Sequence, residues 1–258
     1  MIIAGVTAVV TGGAQGIGAA LVSVLADAGA RVISLDLRDH ATPGAAQCLA
    51  CDVADEAAFA ATLERIDDAT PIGLMCSNAG ILTGMDTTFA NIAHAPSDVW
   101  NRAWAVNVMA HVIAARVLVP RMVARGGGYF LHTASAAGLL NQVGSAVYGT
   151  TKHAAVGFAE ALAFGHRDDG IRVSLLCPQG VDTPMVAGAK DNPAVADGIL
   201  PAATVAKAAV DAIRAERFLV LPHAVVADYM AAKTRDYDRW IGGMAKLQRV
   251  LKPAKDAS

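Results

Sequence analysis

The chain has 258 residues, 54% of them hydrophobic and 17% charged, with a formal net charge of −2. That balance excludes disorder and supplies a large core, much of it alanine, which suits tightly packed helices. It gives no reason to expect a polyanion such as nucleic acid as a partner.

In chain order, the first 26 residues carry no charge, as a signal peptide or a membrane span would. No basic segment opens them, however, and Thr11, Gly12, Gly13 and Gln15 interrupt the apolar run. A spanning helix needs about 20 predominantly apolar residues in succession. The stretch therefore reads as a buried strand over 6–11, a glycine turn and a helix over 16–28. The chain is expected to be soluble and cytoplasmic, with no membrane partner. The turn "TGGAQGIG" sets Gly12, Gly16 and Gly18 at G-x-x-x-G-x-G spacing. There, backbone N–H groups can approach a pyrophosphate at the positive end of the helix. A second strand, 31–37, contains Asp36, 18 residues beyond Gly18. A carboxylate at that point accepts hydrogen bonds from the ribose hydroxyls of NAD and repels the 2′-phosphate of NADP. Gln15 offers a phosphate no cation, whereas Arg38 argues the other way. The balance favours NAD.

The third strand, 46–52, carries Cys48 and Cys51, two of the four cysteines. Their C-x-x-C spacing suits redox chemistry or half of a metal site, but no second such pair or nearby histidine pair completes one. They read as small core residues, and no metal is expected. Asp52 and Val53 then stand where an adenine amine and ring face would be met. A helix over 55–67 and a strand over 72–77 lead to Asn78, Ala79 and Gly80, a turn whose small residues permit close cofactor approach. Taken alone, Asn78 is an ordinary turn residue. A helix over 97–125, a strand over 128–134 with Ser135 at its end, a helix over 147–166 and a strand over 172–177 follow. The segment 181–201 has three prolines and no sustained periodicity, the mark of a lid or substrate loop. A helix over 202–216 and a strand over 218–221 complete the pattern. The segment 223–252 reads as an amphipathic helical extension interrupted at Gly242-Gly243, with Tyr229, Tyr237 and Trp240 packing or joining subunits. The alternation predicts one α/β domain over 1–258: a doubly wound parallel sheet of about seven strands, helices on both faces, and strand C-terminal ends along one edge.

In the helix over 147–166, Tyr148 and Lys152 lie one turn apart on the same face. A phenol with a reference pKa of about 10 is a poor base at neutral pH. A nearby ammonium favours the phenolate, and such a tyrosine can pass a proton to or from an alcohol oxygen. Ser135 could hold the substrate oxygen beside it.

The pieces "TGGAQGIG", Asp52-Val53, "NAG", Val106-Asn107, Ser135, "YGTTK" and "PQGVDT" at 178–183 follow one another in order. In them the chain resembles a short-chain dehydrogenase/reductase of ordinary length, over about residues 4 to 222. The resemblance implies a Rossmann-like fold and hydride transfer between a nicotinamide ring and a secondary alcohol or ketone. It implies Tyr148 as general acid/base, Ser135 positioning the substrate oxygen, Lys152 also binding the nicotinamide ribose, and Asn107 holding a water of the proton relay. The cofactor would be held by Gly12, Gln15, Gly16, Ile17, Gly18, Asp36, Leu37, Asp52, Val53, Asn78, Ala79, Gly80, Tyr148, Lys152, Pro178, Gly180, Val181 and Thr183. Ser77 stands where the family's first asparagine would be, and Gln179 separates Pro178 from Gly180.

Candidate pocket walls, Leu139, Leu140, Asn141, Val143, Met185 and Val186, are mostly apolar and suit a moderately hydrophobic secondary alcohol or ketone. The small-residue faces along 148–164 and 102–118 resemble the family's subunit-contact helices, implying a homodimer or homotetramer. The alternatives are an NADPH-dependent 3-oxoacyl or steroid ketone reductase and a dinucleotide-binding sensor without turnover.

Overall fold

The computed structural model describes residues 1–187 and 197–252. In chain order its strands are β1 (Thr7–Thr11), β2 (Arg31–Asp36), β3 (Ala45–Ala50), β4 (Ile72–Ser77), β5 (Gly128–Thr133), β6 (Ile171–Leu176), β7 (Val181–Asp182), β8 (Leu200–Pro201) and β9 (Leu219–Val220). Seven of them form one sheet in the order β3-β2-β1-β4-β5-β6-β9, with every neighbouring pair parallel. The helices are α1 (Gly16–Asp27), α2 (Glu56–Ala69), α3 (Ser97–Trp104), α4 (Ala110–Ala124), α5 (Ala137–Leu140), α6 (Ala146–Gly165), α7 (Ala202–Arg214), α8 (Val225–Arg235) and α9 (Tyr237–Leu251).

Side chains alternate across a strand, so neighbouring valines of β1 serve opposite cores. Val10 joins Leu74 and Leu131 beneath Leu21, Leu25, Val205 and Ile213 of α1 and α7. Val9 joins Met75 and Phe130 beneath Phe59, Leu63, Leu118, Met122 and Ala159 of α2, α4 and α6. Both faces of the central strands are covered, which is why they read as unbroken apolar runs. Helices α3 and α4 are continuous through a π-helical turn, Ala105–Met109. The whole helix, Ser97–Ala124, is apolar and long enough to cross a membrane. Its most apolar window is 61% buried inside the protein, so that surface is spent on the core.

The doubly wound sheet expected from the sequence is present, and the long elements agree with expectation to within about two residues at each end. Three local features differ. The substrate loop predicted over 181–201 contains a short parallel ladder, Val181 opposite Leu200 and Asp182 opposite Pro201; its residues 188–196 lie outside the described residues. A one-turn helix, α5, follows Ser135. The C-terminal extension breaks at Asp236, whose carboxylate accepts a hydrogen bond from Arg239 N at 2.9 Å and starts a new helix. That helix runs through Gly242 and Gly243, because both glycines are exposed and an N-capping aspartate is the stronger boundary signal.

Candidate active site

The sheet order reverses between β1 and β4, and a crevice opens at the carboxyl ends of those strands, as open α/β sheets dictate. Thr11 ties the two strand ends together. Its Oγ1 accepts hydrogen bonds from the amides of Asn78 (2.9 Å) and Ala79 (3.0 Å), and its carbonyl accepts from Asn78 Nδ2 at 3.0 Å. The side chain of Asn78 is thereby committed to the scaffold. The glycine loop is tight: a Cβ on Gly18 would lie 1.9 Å from the Gly12 carbonyl oxygen. No side chain caps the start of α1, so its first-turn amides are left to the crevice. Asp36 is held at the loop, with Oδ2 accepting from Ala14 N at 3.0 Å and Oδ1 from Leu37 N at 2.8 Å.

The crevice has a volume of about 920 Å³, at the upper end of the range for small-molecule sites. All eighteen residues expected to hold a dinucleotide border it, from Gly12 and Asp36 at one end to Tyr148, Lys152 and Thr183 at the other. Asn107 does not border it, and neither does Leu139; Leu140, Asn141, Val143, Met185 and Val186 do. Arg38 is exposed and does not border it either.

At the second end, Ser135 follows β5 and faces α6. Its hydroxyl accepts from Ala137 N at 3.1 Å and reaches the Pro178 carbonyl only at 3.4 Å, so its proton is loosely held. Tyr148 and Lys152 are buried, at 9% and 3% exposure, and the Lys152 ammonium stands 5.6 Å from the centre of the Tyr148 ring. Burial pushes the Tyr148 phenol above its usual range, while the Ser135 hydroxyl beside it pulls the other way. Burial also lowers the Lys152 ammonium to about 8, against a smaller opposing effect of Cys177. The sequence expectation was a phenol lowered by its lysine. Desolvation reverses that here, because removal from water disfavours both the phenolate and the ammonium. Among the described residues Lys152 Nζ makes one hydrogen bond, to the Thr133 carbonyl at 3.0 Å, which leaves two N–H donors for a diol. Gly80 admits it, since a Cβ there would come within 3.3 Å of Nζ and 3.4 Å of Asn107 Oδ1.

Asn107 is fully buried in the π-helical turn. Its Oδ1 accepts from Ile81 N at 2.8 Å, and its Nδ2 donates to the Ile81 carbonyl and to Thr151 Oγ1, both at 3.0 Å. The side chain thus fastens the turn after β4 to α6, and Oδ1, which accepts one hydrogen bond here, keeps a second lone pair.

Three features of the site escaped the sequence reading. Arg102 pairs with Asp52 (Nη1 to Oδ2, 3.1 Å), so that carboxylate is not left for an adenine amine alone. Gln179 Nε2 donates to Asp197 Oδ2 at 3.1 Å, and Tyr229 OH donates to Asp197 Oδ1 at 3.0 Å, closing a clasp over the crevice. Trp240, Met244, Leu247 and Leu251 of α9 also border the crevice. Their 4-3-4 spacing was visible in the sequence and could have announced an apolar helix face.

A family model described as short chain dehydrogenase matches residues 6–194. A 1-deoxy-11-beta-hydroxypentalenate dehydrogenase of Streptomyces exfoliatus is 36% identical over 230 residues, covering 84% of this chain and 82% of that protein. A 3beta-hydroxysteroid dehydrogenase 2 of Eggerthella lenta is 32% identical, covering 72% and 75%. Among solved structures, a short-chain dehydrogenase/reductase from Burkholderia phymatum in complex with NAD superposes with a TM-score of 0.82. It is 26% identical, with 93% of this chain and 96% of that one covered. A candidate NAD(P)-dependent gluconate 5-dehydrogenase from Beutenbergia cavernae, with NADP bound at low occupancy, gives 0.78 at 25% identity, covering 87% and 98%.

Proposed function

The chain belongs to the short-chain dehydrogenase family, and from that premise we propose that it interconverts a secondary alcohol and a ketone with NAD as the redox partner. The observation that carries the reading is one continuous crevice with a glycine loop and Asp36 at one end and Ser135, Tyr148 and Lys152 at the other. When bound, NAD accepts the hydride from the alcohol carbon, and NADH returns it to a ketone.

The chain's own residues fit that partner. The amides at the start of α1 receive the pyrophosphate, Asp36 the adenosine ribose, Val53 the adenine face, Lys152 the second ribose, and Val181 and Thr183 the nicotinamide edge. Ser135 donates its loosely held proton to the substrate oxygen. Tyr148, kept protonated by burial, gives its proton to that oxygen in ketone reduction and takes one back in alcohol oxidation. Lys152 stays largely cationic at neutral pH and stabilises the phenolate while it exists. Asn107 acts as a positioning residue, holding α6 against the turn at Ile81.

Asp36 would carry the preference for NAD over NADP, since its carboxylate, fixed by Ala14 N, borders the crevice where it would repel a 2′-phosphate, and Arg38 stands outside. Fluorescence titration with NADH and NADPH tests this. NADH binds more tightly to the wild type, and Asp36→Ala narrows the gap; tighter NADPH binding by the wild type rejects NAD and favours an NADPH-dependent reductase.

We place the protein in the cytoplasm, where its four free cysteines stay reduced, and assign it a homodimer or homotetramer built on the outer face of α6. There Gly157 is exposed with nothing within 4 Å of a Cβ, and Phe164 is 76% exposed. Small residues allow such helices to approach closely, and an exposed phenylalanine beside them is an apolar contact waiting for a partner.

A further inference from the structure

Helix α9 has no fully buried residue. Only four of its side chains are even partly covered, Trp240, Met244, Leu247 and Leu251, and all four border the crevice. Every other residue of the helix is exposed. A fifteen-residue helix is marginal by itself in water, so the place where α9 sits is set by what those four side chains meet. That place is the mouth of the crevice.

Helix α8 aims it there. Val226 is fully buried against Ala136 and Leu140, beside Ser135. Lys233 Nζ donates to the Leu139 carbonyl at 2.6 Å, and Tyr229 is held by Asp197. The capped break at Asp236 then turns the chain back over the site, bringing the Trp240 ring to 6.4 Å from that of Tyr229. Across the mouth stand Leu140, Val143, Met185 and Val186. The apolar side chains of α9 and these four border the space, and its polar groups are Asn141, Gln142 and the Gln179–Asp197–Tyr229 clasp as well as the Ser135–Tyr148 end. A small or charged substrate would leave the parts of the four α9 side chains that remain exposed uncovered. A rigid apolar body reaching outward from Ser135 would cover them.

We infer that α9 is the roof of the substrate site, and that the alcohol or ketone held at Ser135 and Tyr148 is one end of a bulky, rigid, multi-ring hydrocarbon skeleton whose far end packs on Trp240, Met244 and Leu247. This rests on the oxidoreductase reading above.

The test uses the full-length protein and a graded panel of secondary alcohols: cyclohexanol, a two-ring decalin alcohol and a four-ring 3-hydroxysteroid. KM falls by about tenfold or more from one ring to four, as expected for burying each further apolar face. In the double variant Met244→Ala/Leu247→Ala, KM for the four-ring alcohol rises about tenfold. Its KM for cyclohexanol rises several-fold less, so the preference for four rings over one shrinks. A second readout is independent of turnover: the steroid quenches tryptophan emission in the wild type, and Trp240→Phe, which keeps Trp100 and Trp104, loses most of that quenching. Equal KM changes for small and large alcohols, or quenching unchanged by Trp240→Phe, overturn the roof. Quenching through Trp240 without turnover of any alcohol sinks the oxidoreductase reading and leaves the roof standing.

Discussion

Replacing Lys152 by methionine tests the electrostatics of the site without relying on a substrate. The ammonium is buried and lowered from 10.5 to about 8. That difference corresponds to about 3 kcal/mol of penalty on the charged form. Its bond to the Thr133 carbonyl returns about 1 kcal/mol. At pH 7, Lys152→Met is therefore more stable than the wild type by about 2 kcal/mol. The pH dependence carries the sign. The folded protein releases the lysine proton near 8 and the unfolded chain keeps it to 10.5. Between those values the unfolded state binds more protons, so wild-type stability rises with pH. The variant lacks that rise, and its advantage shrinks from about pH 8 and vanishes or reverses by about pH 10. Urea unfolding followed by circular dichroism, under reducing conditions at several pH values across that range, measures both curves. A stability difference that stays flat with pH would refute the reasoning, because it would mean that the ammonium is hydrated in the folded protein.

Other consequences are as direct. Gly18→Ala forces a Cβ onto the Gly12 carbonyl, so the loop opens and NADH affinity falls at least about tenfold, read by fluorescence titration. The buried rings of His111 and His132 share an Nδ1–Nδ1 hydrogen bond of 2.8 Å, and neither Nε2 finds a partner among the described residues. Replacing either histidine by leucine strands the other ring, whereas the double variant is less destabilised than the sum of the singles by about 1–3 kcal/mol in a denaturation cycle. Burial depresses both rings, His132 to about 3. Wild-type stability therefore falls as pH drops from 6.5 towards 3, and the double variant flattens that limb. Gly157→Arg adds a side chain where nothing stands within 4 Å, so it leaves a lone subunit folded and lowers the sedimentation mass, from dimer to monomer or from tetramer to dimer. An unchanged mass would place the subunit contact elsewhere.

The sheet and the crevice were legible because their signals are local. Strands buried on both faces announce themselves as short apolar runs, and the turn between β1 and α1 needs a glycine wherever backbone must meet backbone, as at Gly18. The pair Tyr148 and Lys152 was legible by helical spacing alone. What depended on distant partners was not. The direction of the Tyr148 shift follows from burial by the surrounding fold, which the four-residue spacing does not encode. The contacts of the Asn107 amide with Ile81 and Thr151 join distant parts of the chain, and nothing local announces them. The pairing of Arg102 with Asp52 spans fifty residues and is set by how α3 passes the end of β3. In the C-terminal segment the two glycines suggested a break, but the capping carboxylate of Asp236 decided it. The stripe from Trp240 to Leu251 was readable as amphipathic, yet only the fold shows that it borders the crevice.

The central claim is that Tyr148 moves the proton while a hydride leaves the alcohol carbon. It is tested most directly by steady-state oxidation of a secondary alcohol with NAD, followed through nicotinamide absorbance, in the wild type and in Tyr148→Phe. The account predicts a loss of kcat of about 10²–10⁴-fold with NADH affinity little changed; a variant that turns over at close to the wild-type rate would contradict it.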